Sequence, residues 1–163
     1  MFDKSSLLQR LRDLPFPKSE YWVVAGGAMV LHGFRAQTQD IDLGCSTLLA
    51  DQLEQQGHIV SRCEDGTRRI KYSEDVEIYE NWIEGTVETV SGVPVVCVDG
   101  LIQMKKKLGR EKDLADIAFI EQSHPFAVCP VGDESYYRWF SMMQDERREN
   151  QHEVKRLYKV DKK

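Results

Sequence analysis

The chain begins with two apolar patterns of different period. Residues 5–14 have leucine at helical spacing, so we expect an amphipathic helix there. The next apolar run, residues 21–26, is short and contains two valines, which predicts a buried strand. A glycine pair ends this run, and residues 28–34 are predicted to form a helix that starts directly after it.

The rest of the chain continues this mixture of strand-like and helical segments. Further strands are expected at residues 40–45, 58–63, 67–73, 76–82, 86–90 and 93–98, and further helices at residues 47–56, 100–108 and 111–122. The last of these helices should turn Leu114, Ile117, Ala118 and Phe119 inward. Such an order predicts an α/β or α+β fold, in which helices pack on a mixed sheet.

Length and composition are those of a globular protein with one main core. The 163 residues fit a domain over residues 1–125, with residues 126–163 as a C-terminal helical extension packed on it or next to it. The longest apolar run falls far short of the roughly 18 to 20 residues that span a bilayer. Residues 1–20 carry acidic side chains and lack a signal-peptide core, so we expect a cytoplasmic location and no membrane segment.

Cysteine spacing and net charge argue against two further classes of protein. The four cysteines are far apart and lack the spacing of zinc sites, so we expect free buried thiols. The net charge of −5 argues against a dominant nucleic-acid surface. Basic residues are nevertheless concentrated at 105–112 and 147–163, which are either solvated helix faces or a local footprint for nucleic acid.

Two short stretches contain residues suited to phosphate and metal chemistry. Gly26 and Gly27 lie where a strand gives way to a helix, so backbone N–H groups and the helix start can approach a phosphate closely. In the next strand, Asp40 and Asp42 project from one face about 7 Å apart along the chain. Their hard oxygens suit Mg²⁺ or Mn²⁺, which commonly binds together with substrate phosphates.

A third carboxylate is expected from a later strand. Glu77 alternates with Val76 and Ile78, so it leaves the apolar face and can point at the two aspartates if the strands are neighbours. It would complete the metal site and take the proton of an acceptor hydroxyl. Asp75, on the same face, is the alternative. Because converging carboxylates repel one another, at least one should have a raised pKa in the metal-free protein.

Each of these features also has a purely structural explanation. Glycine pairs are common in plain turns, alternate aspartates are common on solvated strand edges, and Glu77 alone would be an exposed strand residue. His32 is expected to bond to the backbone, and Trp82 to lie in the core or at an interface. The joint order and spacing of the polar residues is what favours a functional site.

The same stretches resemble a known protein family. Residues 32–43 read HGFRAQTQDIDL, which is similar to the H-G-x-R-x-T-x-D-I-D-L run of nucleotidyltransferases related to abortive-infection and toxin–antitoxin systems. These proteins form a minimal branch of the polymerase-β-type nucleotidyltransferase superfamily. A second stretch, LIQMKKKLGREKDLADI at residues 101–117, resembles their K-x₄-R-x-K-D-x-x-D segment. The resemblance covers about residues 21–122 and leaves the remainder unassigned.

The resemblance implies a nucleotidyltransferase-like mixed sheet flanked by helices, and it assigns roles to individual residues. Gly26 and Gly27 would bind the triphosphate, while Asp40 and Asp42 would bind metal. Glu77 stands where the family usually has an aspartate, and its extra methylene would alter the metal geometry. Lys105 matches the family lysine and would meet the phosphates, with Arg110 and Lys112 as further candidates, while Asp113 and Asp116 are expected to fix these cations by helical pairing. Arg35 is a candidate either for contacting phosphate or for neutralising the carboxylates.

The reaction implied by the family is transfer of a nucleotidyl group from an NTP, such as ATP, to a hydroxyl or phosphate acceptor. Pyrophosphate would be released, with Mg²⁺ or Mn²⁺ as the cofactor. An RNA 3′ end, a protein and a small molecule all stay open as acceptors. The alternative is a catalytically weak nucleotide-binding or partner-binding module of a toxin–antitoxin-type system. Glu77 favours it, as does a long charged helix expected at residues 133–158 that could dock a protein partner.

Overall fold

The computed structural model describes residues 1–123, and its elements follow the predicted order except for two short strands, at residues 2–3 and 37–38, that were not predicted. The strands are β1 (Phe2–Asp3), β2 (Tyr21–Val24), β3 (Gln37–Thr38), β4 (Ile41–Cys45), β5 (Ile59–Arg62), β6 (Arg68–Lys71), β7 (Val76–Glu80), β8 (Val87–Val90) and β9 (Val93–Val96). The helices are α1 (Lys4–Arg12), α2 (Ala25–Leu31), α3 (Thr47–Gln55), α4 (Val98–Leu108) and α5 (Glu111–Ser123). The fold is α+β, which confirms the predicted class. The helix expected at residues 133–158 and the extension over residues 126–163 lie outside the described residues.

A seven-stranded mixed sheet forms the centre of the fold, with strand order β5-β6-β7-β4-β2-β9-β8. β4 pairs with β7, and β2 with β9, in parallel. The other pairs in this sheet are antiparallel. β1 and β3 form a separate two-stranded sheet. The parallel pairs bring together segments that are far apart in the chain, and they place β4 in the middle of the sheet.

One face of the three central strands forms the hydrophobic core. Val23, Leu43 and Ile78 are register partners across β2, β4 and β7, and all three are fully buried. Burial of each such side chain contributes about 1.5 to 3 kcal/mol relative to exposure. Leu7 and Leu53, on α1 and α3, are also fully buried. Alternation along β4 and β7 then places Asp42 and Glu77 on the other face of the sheet.

Helix ends are set by local hydrogen bonds. The side chain of Asp3 accepts a hydrogen bond of 2.8 Å from the backbone N–H of Ser6, and so caps α1. Ser46 caps α3 in the same way, with its hydroxyl accepting from the backbone N–H of Leu49 at 3.2 Å. Gly57, which follows α3, has a φ of +87°, a left-handed conformation that favours glycine.

Several details of the predicted elements are wrong. α2 begins at Ala25, so Gly26 and Gly27 belong to its first turn and do not precede it. On α5, Leu114 and Phe119 are exposed, while Asp113 and Ile117 are buried. The buried face of this helix includes an aspartate because Asp113 forms ion pairs, described below, that draw it inward.

The remaining predictions concern cysteines, domains and membrane segments. Cys45, Cys63 and Cys97 are free thiols, as predicted, but only Cys45 of these three is buried, since Cys63 is exposed and Cys97 partly exposed. Cys129 lies outside the described residues. The chain divides into two compact units after Leu101, within α4, whereas the predicted boundary between residues 1–125 and 126–163 stays a prediction. None of the helices formed by residues 1–123 has both the length and the apolar character of a membrane span.

Candidate active site

Asp42 and Glu77 lie side by side in the middle of the sheet. They are register partners on the parallel strands β4 and β7, so their side chains project from the same face. Both residues are partly exposed to solvent. The two strands are neighbours, so the condition is met under which Glu77 was expected to point to the same side as Asp42.

The other two candidate carboxylates lie differently. Asp40 is exposed and precedes the first residue of β4, so it is not part of the strand predicted to hold it. Asp75 precedes β7, and its carboxylate binds the guanidinium of Arg10 at 2.8 and 3.1 Å. Within residues 1–123, no group of three or more His, Cys, Asp or Glu side chains is placed to hold a metal. The described site is therefore the carboxylate pair Asp42 and Glu77, and a role for Asp40 as a third ligand stays a prediction.

The carboxylate of Glu77 is held by two neighbours that the sequence analysis did not single out. Arg69 donates from Nε and Nη2 to Oε2 of Glu77, at 3.1 and 2.6 Å. The hydroxyl of Tyr79 donates to the same oxygen at 2.9 Å. Burial opposes ionisation of Glu77, but these hydrogen bonds and the charge of Arg69 outweigh it and lower its pKa. The predicted rise in carboxylate pKa is thus wrong for Glu77.

The same charges act on the tyrosine. Burial is the main cause that raises the pKa of Tyr79, and the negative charges of Asp42 and Glu77 add to it. The hydroxyl therefore stays protonated and keeps donating to Glu77. The Arg69 guanidinium carbon lies 5.7 Å from the centroid of the Tyr79 ring, within the range of a cation–π contact.

The donor set of the pair is suited to a hard divalent cation. Mg²⁺ is often held by one or two carboxylates, with water and substrate phosphates filling the other positions. Asp42 and Glu77 would supply two such ligands from registered positions. The residues therefore fit Mg²⁺ or Mn²⁺ as a two-carboxylate site, with Arg69 as a competing cation at Glu77.

The glycine pair lies in the first turn of α2, directly after the end of β2 and beside this site. Val24, the last residue of β2, is the register partner of Asp42. Ala25 follows it with a φ of +52°, a left-handed conformation that costs a non-glycine residue roughly 1–2 kcal/mol. Val24 is the N-cap residue of α2, and its side chain makes no capping hydrogen bond to the first turn of the helix.

Neighbouring side chains leave no room for a side chain at Gly26 or Gly27. A Cβ at Gly26 would lie 2.5 Å from Oγ1 of Thr38 and 3.3 Å from Nη1 of Arg35. A Cβ at Gly27 would lie 2.8 Å from Cγ1 of Val23. The guanidinium of Arg35, another predicted nucleotide-binding residue, therefore lies close to Gly26. Whether they bind phosphate stays a prediction.

The three other predicted cations belong to the unit that begins at Ile102. Lys105 Nζ lies 2.8 Å from Oδ2 of Asp116 and 3.7 Å from Oδ1 of Asp113. Arg110 makes a two-pronged ion pair with Asp113 through Nε at 2.6 Å and Nη2 at 3.2 Å. Lys112 is exposed. The aspartates of this segment thus fix Lys105 and Arg110, although Lys105 is bound across two helices and not along one as expected. A role of these cations in binding phosphate stays a prediction.

His32 has the structural role that was predicted for it. Its Nε2 lies 2.8 Å from the backbone carbonyl oxygen of Val96, and the ring is buried. Burial lowers the pKa of His32, which favours the neutral ring that donates this bond. Trp82 is partly exposed, and its backbone carbonyl accepts a hydrogen bond of 2.8 Å from Nε1 of Trp22.

A surface groove of about 400 Å³ lies at the opposite end of β2. Tyr21 and Gly92 are part of its wall, and the amine of Lys18 donates to the carbonyl of Gly92 at 2.6 Å. None of the predicted site residues lines this groove. Asp42 and Glu77, both partly exposed, are not part of it.

Comparison with protein-family models and with curated proteins gives no match to this chain. The family assignment therefore stays a proposal that depends on the quoted residues and on their arrangement.

Proposed function

We propose that the chain is a metal-dependent nucleotidyltransferase, which transfers a nucleotidyl group from an NTP to a hydroxyl or phosphate acceptor and releases pyrophosphate. The observation that carries this proposal is the registered pair Asp42 and Glu77 next to the turn at Gly26. Two carboxylates beside a strand-to-helix turn are the groups that metal-assisted phosphoryl chemistry requires.

Different residues would bind the metal ion and the phosphates of the NTP. Asp42 and Glu77 would hold Mg²⁺ or Mn²⁺, which when bound would neutralise charge on the triphosphate and help the leaving group depart. The N–H groups at Gly26 and Gly27 would donate to phosphate oxygens. Arg35, whose guanidinium lies close to Gly26, would add a planar cation for the same oxygens.

The reaction exchanges one phosphorus–oxygen bond for another. The acceptor oxygen forms a bond to the α-phosphorus, while the bond from that phosphorus to the bridging oxygen of the β-phosphate breaks. Pyrophosphate leaves with that oxygen. For a hydroxyl acceptor, Glu77 is the proposed proton acceptor; its lowered pKa keeps it ionised at neutral pH but makes it a weaker base than an ordinary glutamate.

The acceptor is proposed only as a class. Basic residues at 147–163 favour an acidic acceptor such as an RNA 3′ end, with a protein and a small molecule as the other candidates. Binding to RNA should weaken steeply with salt, because counterions are released from the phosphates. A cytoplasmic location belongs to the same proposal.

The test is direct detection of transfer. The full chain is incubated with each α-labelled NTP, Mg²⁺ or Mn²⁺ and a panel of RNA, protein and small-molecule acceptors, and pyrophosphate and labelled product are measured. Asp42→Asn should abolish both signals, while Asp13→Asn, an exposed aspartate at the end of α1, should leave them unchanged. Absence of pyrophosphate with every NTP and acceptor would count against the function.

A second candidate function is a nucleotide-binding or partner-binding module without turnover. The observation that favours it is the engagement of Glu77 Oε2 by Arg69 and Tyr79, which leaves that oxygen occupied. Calorimetry with an NTP and Mg²⁺, followed by the transfer assay, separates the two candidates. Tight binding without turnover, unchanged in Glu77→Asp, would favour the module.

A further inference from the structure

Arg69 is the one positively charged residue that the structure places in direct contact with Glu77 within residues 1–123. Arg69 lies on β6, where its register partner is Tyr79, and its side chain crosses to Glu77 two residues away. The side chain is 51% exposed, whereas that of Glu77 is 29% exposed. The guanidinium is thus attached to the site while part of it faces solvent.

Both carboxylates of the pair act on this guanidinium. The hydrogen bond to Glu77 is the main cause that raises the pKa of Arg69, and the charge of Asp42 contributes in the same direction. One cation therefore offsets negative charge from two side chains. This is the role that a metal ion would have at the same place.

The hydrogen bonds at Glu77 leave little room for a second cation. Oε2 already accepts three hydrogen bonds, two from Arg69 and one from Tyr79, although a carboxylate oxygen has only two lone pairs. A divalent ion at this oxygen would also be repelled by the guanidinium at close range. Because the Arg69 side chain is half exposed, it has solvent into which it can move.

We infer that Arg69 is the resident cation of the pair formed by Asp42 and Glu77, and that a divalent ion binds there by displacing the guanidinium from Glu77. The inference rests on the proposed function, because it concerns the metal of that same site. It makes Arg69 a positioning residue that sets metal affinity, and it makes binding of the bare ion weak. A nucleotide would favour the exchange, since its phosphates offer the displaced guanidinium another anion.

The test uses Mn²⁺ alone, without nucleotide, and measures free Mn²⁺ by electron paramagnetic resonance during titration of the full chain. Arg69→Gln should tighten Mn²⁺ binding by about tenfold or more, because it removes the charge-assisted bonds to Glu77. Lys71→Gln is the matched control. Lys71 is exposed and is the register partner of Glu77. Lys71→Gln removes one positive charge, as Arg69→Gln does, and should change the Mn²⁺ affinity by about threefold at most.

A second variant separates charge from geometry. Arg69→Lys keeps the positive charge but loses the two-donor guanidinium, so its Mn²⁺ affinity should fall between those of the wild type and Arg69→Gln. Circular dichroism checks that each variant is folded. Equal tightening in Arg69→Gln and Lys71→Gln, no tightening in Arg69→Gln, or no Mn²⁺ binding in any variant would overturn the inference.

These outcomes are independent of turnover. If the wild type transfers label but its Mn²⁺ affinity does not depend on Arg69, the inference fails and the proposed function stands. If Arg69→Gln binds Mn²⁺ tightly but no condition yields pyrophosphate, the inference stands and the proposed function fails.

Discussion

Arg68 forms a bidentate ion pair with Glu80, in which Nε donates to Oε1 at 3.2 Å and Nη2 donates to Oε2 at 2.5 Å. The pair is buried, and Arg68 also binds Glu54 and Asp51 of α3. Its neighbour Arg69 points to the opposite face of the sheet, where it binds Glu77. Two consecutive arginines therefore neutralise carboxylates on two different faces, one buried and one half exposed.

The buried arginine should be the more important of the two for stability. Arg68→Met would leave Glu80 buried without its main partner, and we expect a loss of about 3 kcal/mol in the free energy of unfolding. Arg69→Met, the matched control, should lose less than about 1 kcal/mol because that ion pair is half exposed. Urea unfolding measures both. Equal losses in the two variants would contradict this account of the two faces.

Asp75 should make part of the stability depend on pH. The hydrogen bond from Arg10 lowers the pKa of Asp75 to about 2, against an ordinary value of 3.8. A lowered folded-state pKa stabilises the fold above the unfolded value, and this contribution is lost as the pH falls from about 4 towards 2. Asp75→Asn should cost about 1 kcal/mol at pH 6, after allowance for partial exposure, and almost nothing near pH 2.

The measurement is the free energy of unfolding of Asp75→Asn and of the wild type between pH 6 and pH 2.5. Asp13→Asn, which changes an exposed aspartate at the end of α1, is measured beside it as the control. A gap that is as wide at pH 2.5 as at pH 6 would show that the ion pair with Arg10 is not its cause.

Close packing at Gly26 should be detectable by a double-mutant cycle. Gly26→Ala places a Cβ 2.5 Å from Oγ1 of Thr38, so we expect a loss of about 1 to 3 kcal/mol from overpacking. Thr38→Ala removes that oxygen, and the nearest remaining Thr38 atom would be Cβ at 3.5 Å. The double variant should therefore be more stable than the sum of the single losses predicts. Additive losses would mean that Gly26 is needed for another reason.

Metal and nucleotide together should stabilise the wild type through Asp42. A ligand that binds only the folded state adds about 2.7 kcal/mol at 100 times its dissociation constant, so the melting temperature should rise with Mg²⁺ and a non-hydrolysable NTP. Asp42→Asn should lose most of this rise, because Asp42 is the register partner of Glu77. Asp40→Asn should keep most of it, because Asp40 precedes the strand. The reverse result would assign the metal to Asp40.

Two cysteines should differ sharply in reactivity. Burial raises the pKa of Cys45 to about 12, so only about one thiol in ten thousand is ionised at pH 8. Cys63 is exposed. Iodoacetamide at pH 8 should therefore label Cys63 in the native protein and Cys45 only after unfolding in urea. Peptide mapping by mass spectrometry identifies the labelled residue, and rapid native labelling of Cys45 would contradict its burial.

Local sequence patterns predicted most of the helices and strands, but not which strands pair in the sheet. The strand around Glu77 follows from alternation of polar and apolar residues, and so does the face that Glu77 occupies. That Asp42 would be its register partner depends on a parallel pairing between distant segments, which alternation does not encode. The pairing of these two strands was therefore only a condition for the expected orientation of Glu77, and the structure meets that condition.

The ion pairs explain what the sequence analysis missed. Alternation in residues 67–73 shows that Arg68 and Arg69 face opposite ways, but it does not say which carboxylate each will meet. Asp113 was assigned a pairing role, yet its burial was not foreseen, because an apolar face was expected at Leu114. Charged side chains that pair across elements override the apolar pattern, and single-segment reasoning cannot find the partner.

The parallel pairing of Val23 with Val95 affects how the chain can fold during synthesis. β2 is translated well before β9, the strand that covers its second edge, which follows all eight other described strands. Contacts between such distant segments form slowly, because a long loop must close first. In the meantime the open edge of β2 is a template for strands of other chains. Newly made protein should therefore be most prone to aggregate just before the hairpin of β8 and β9 emerges.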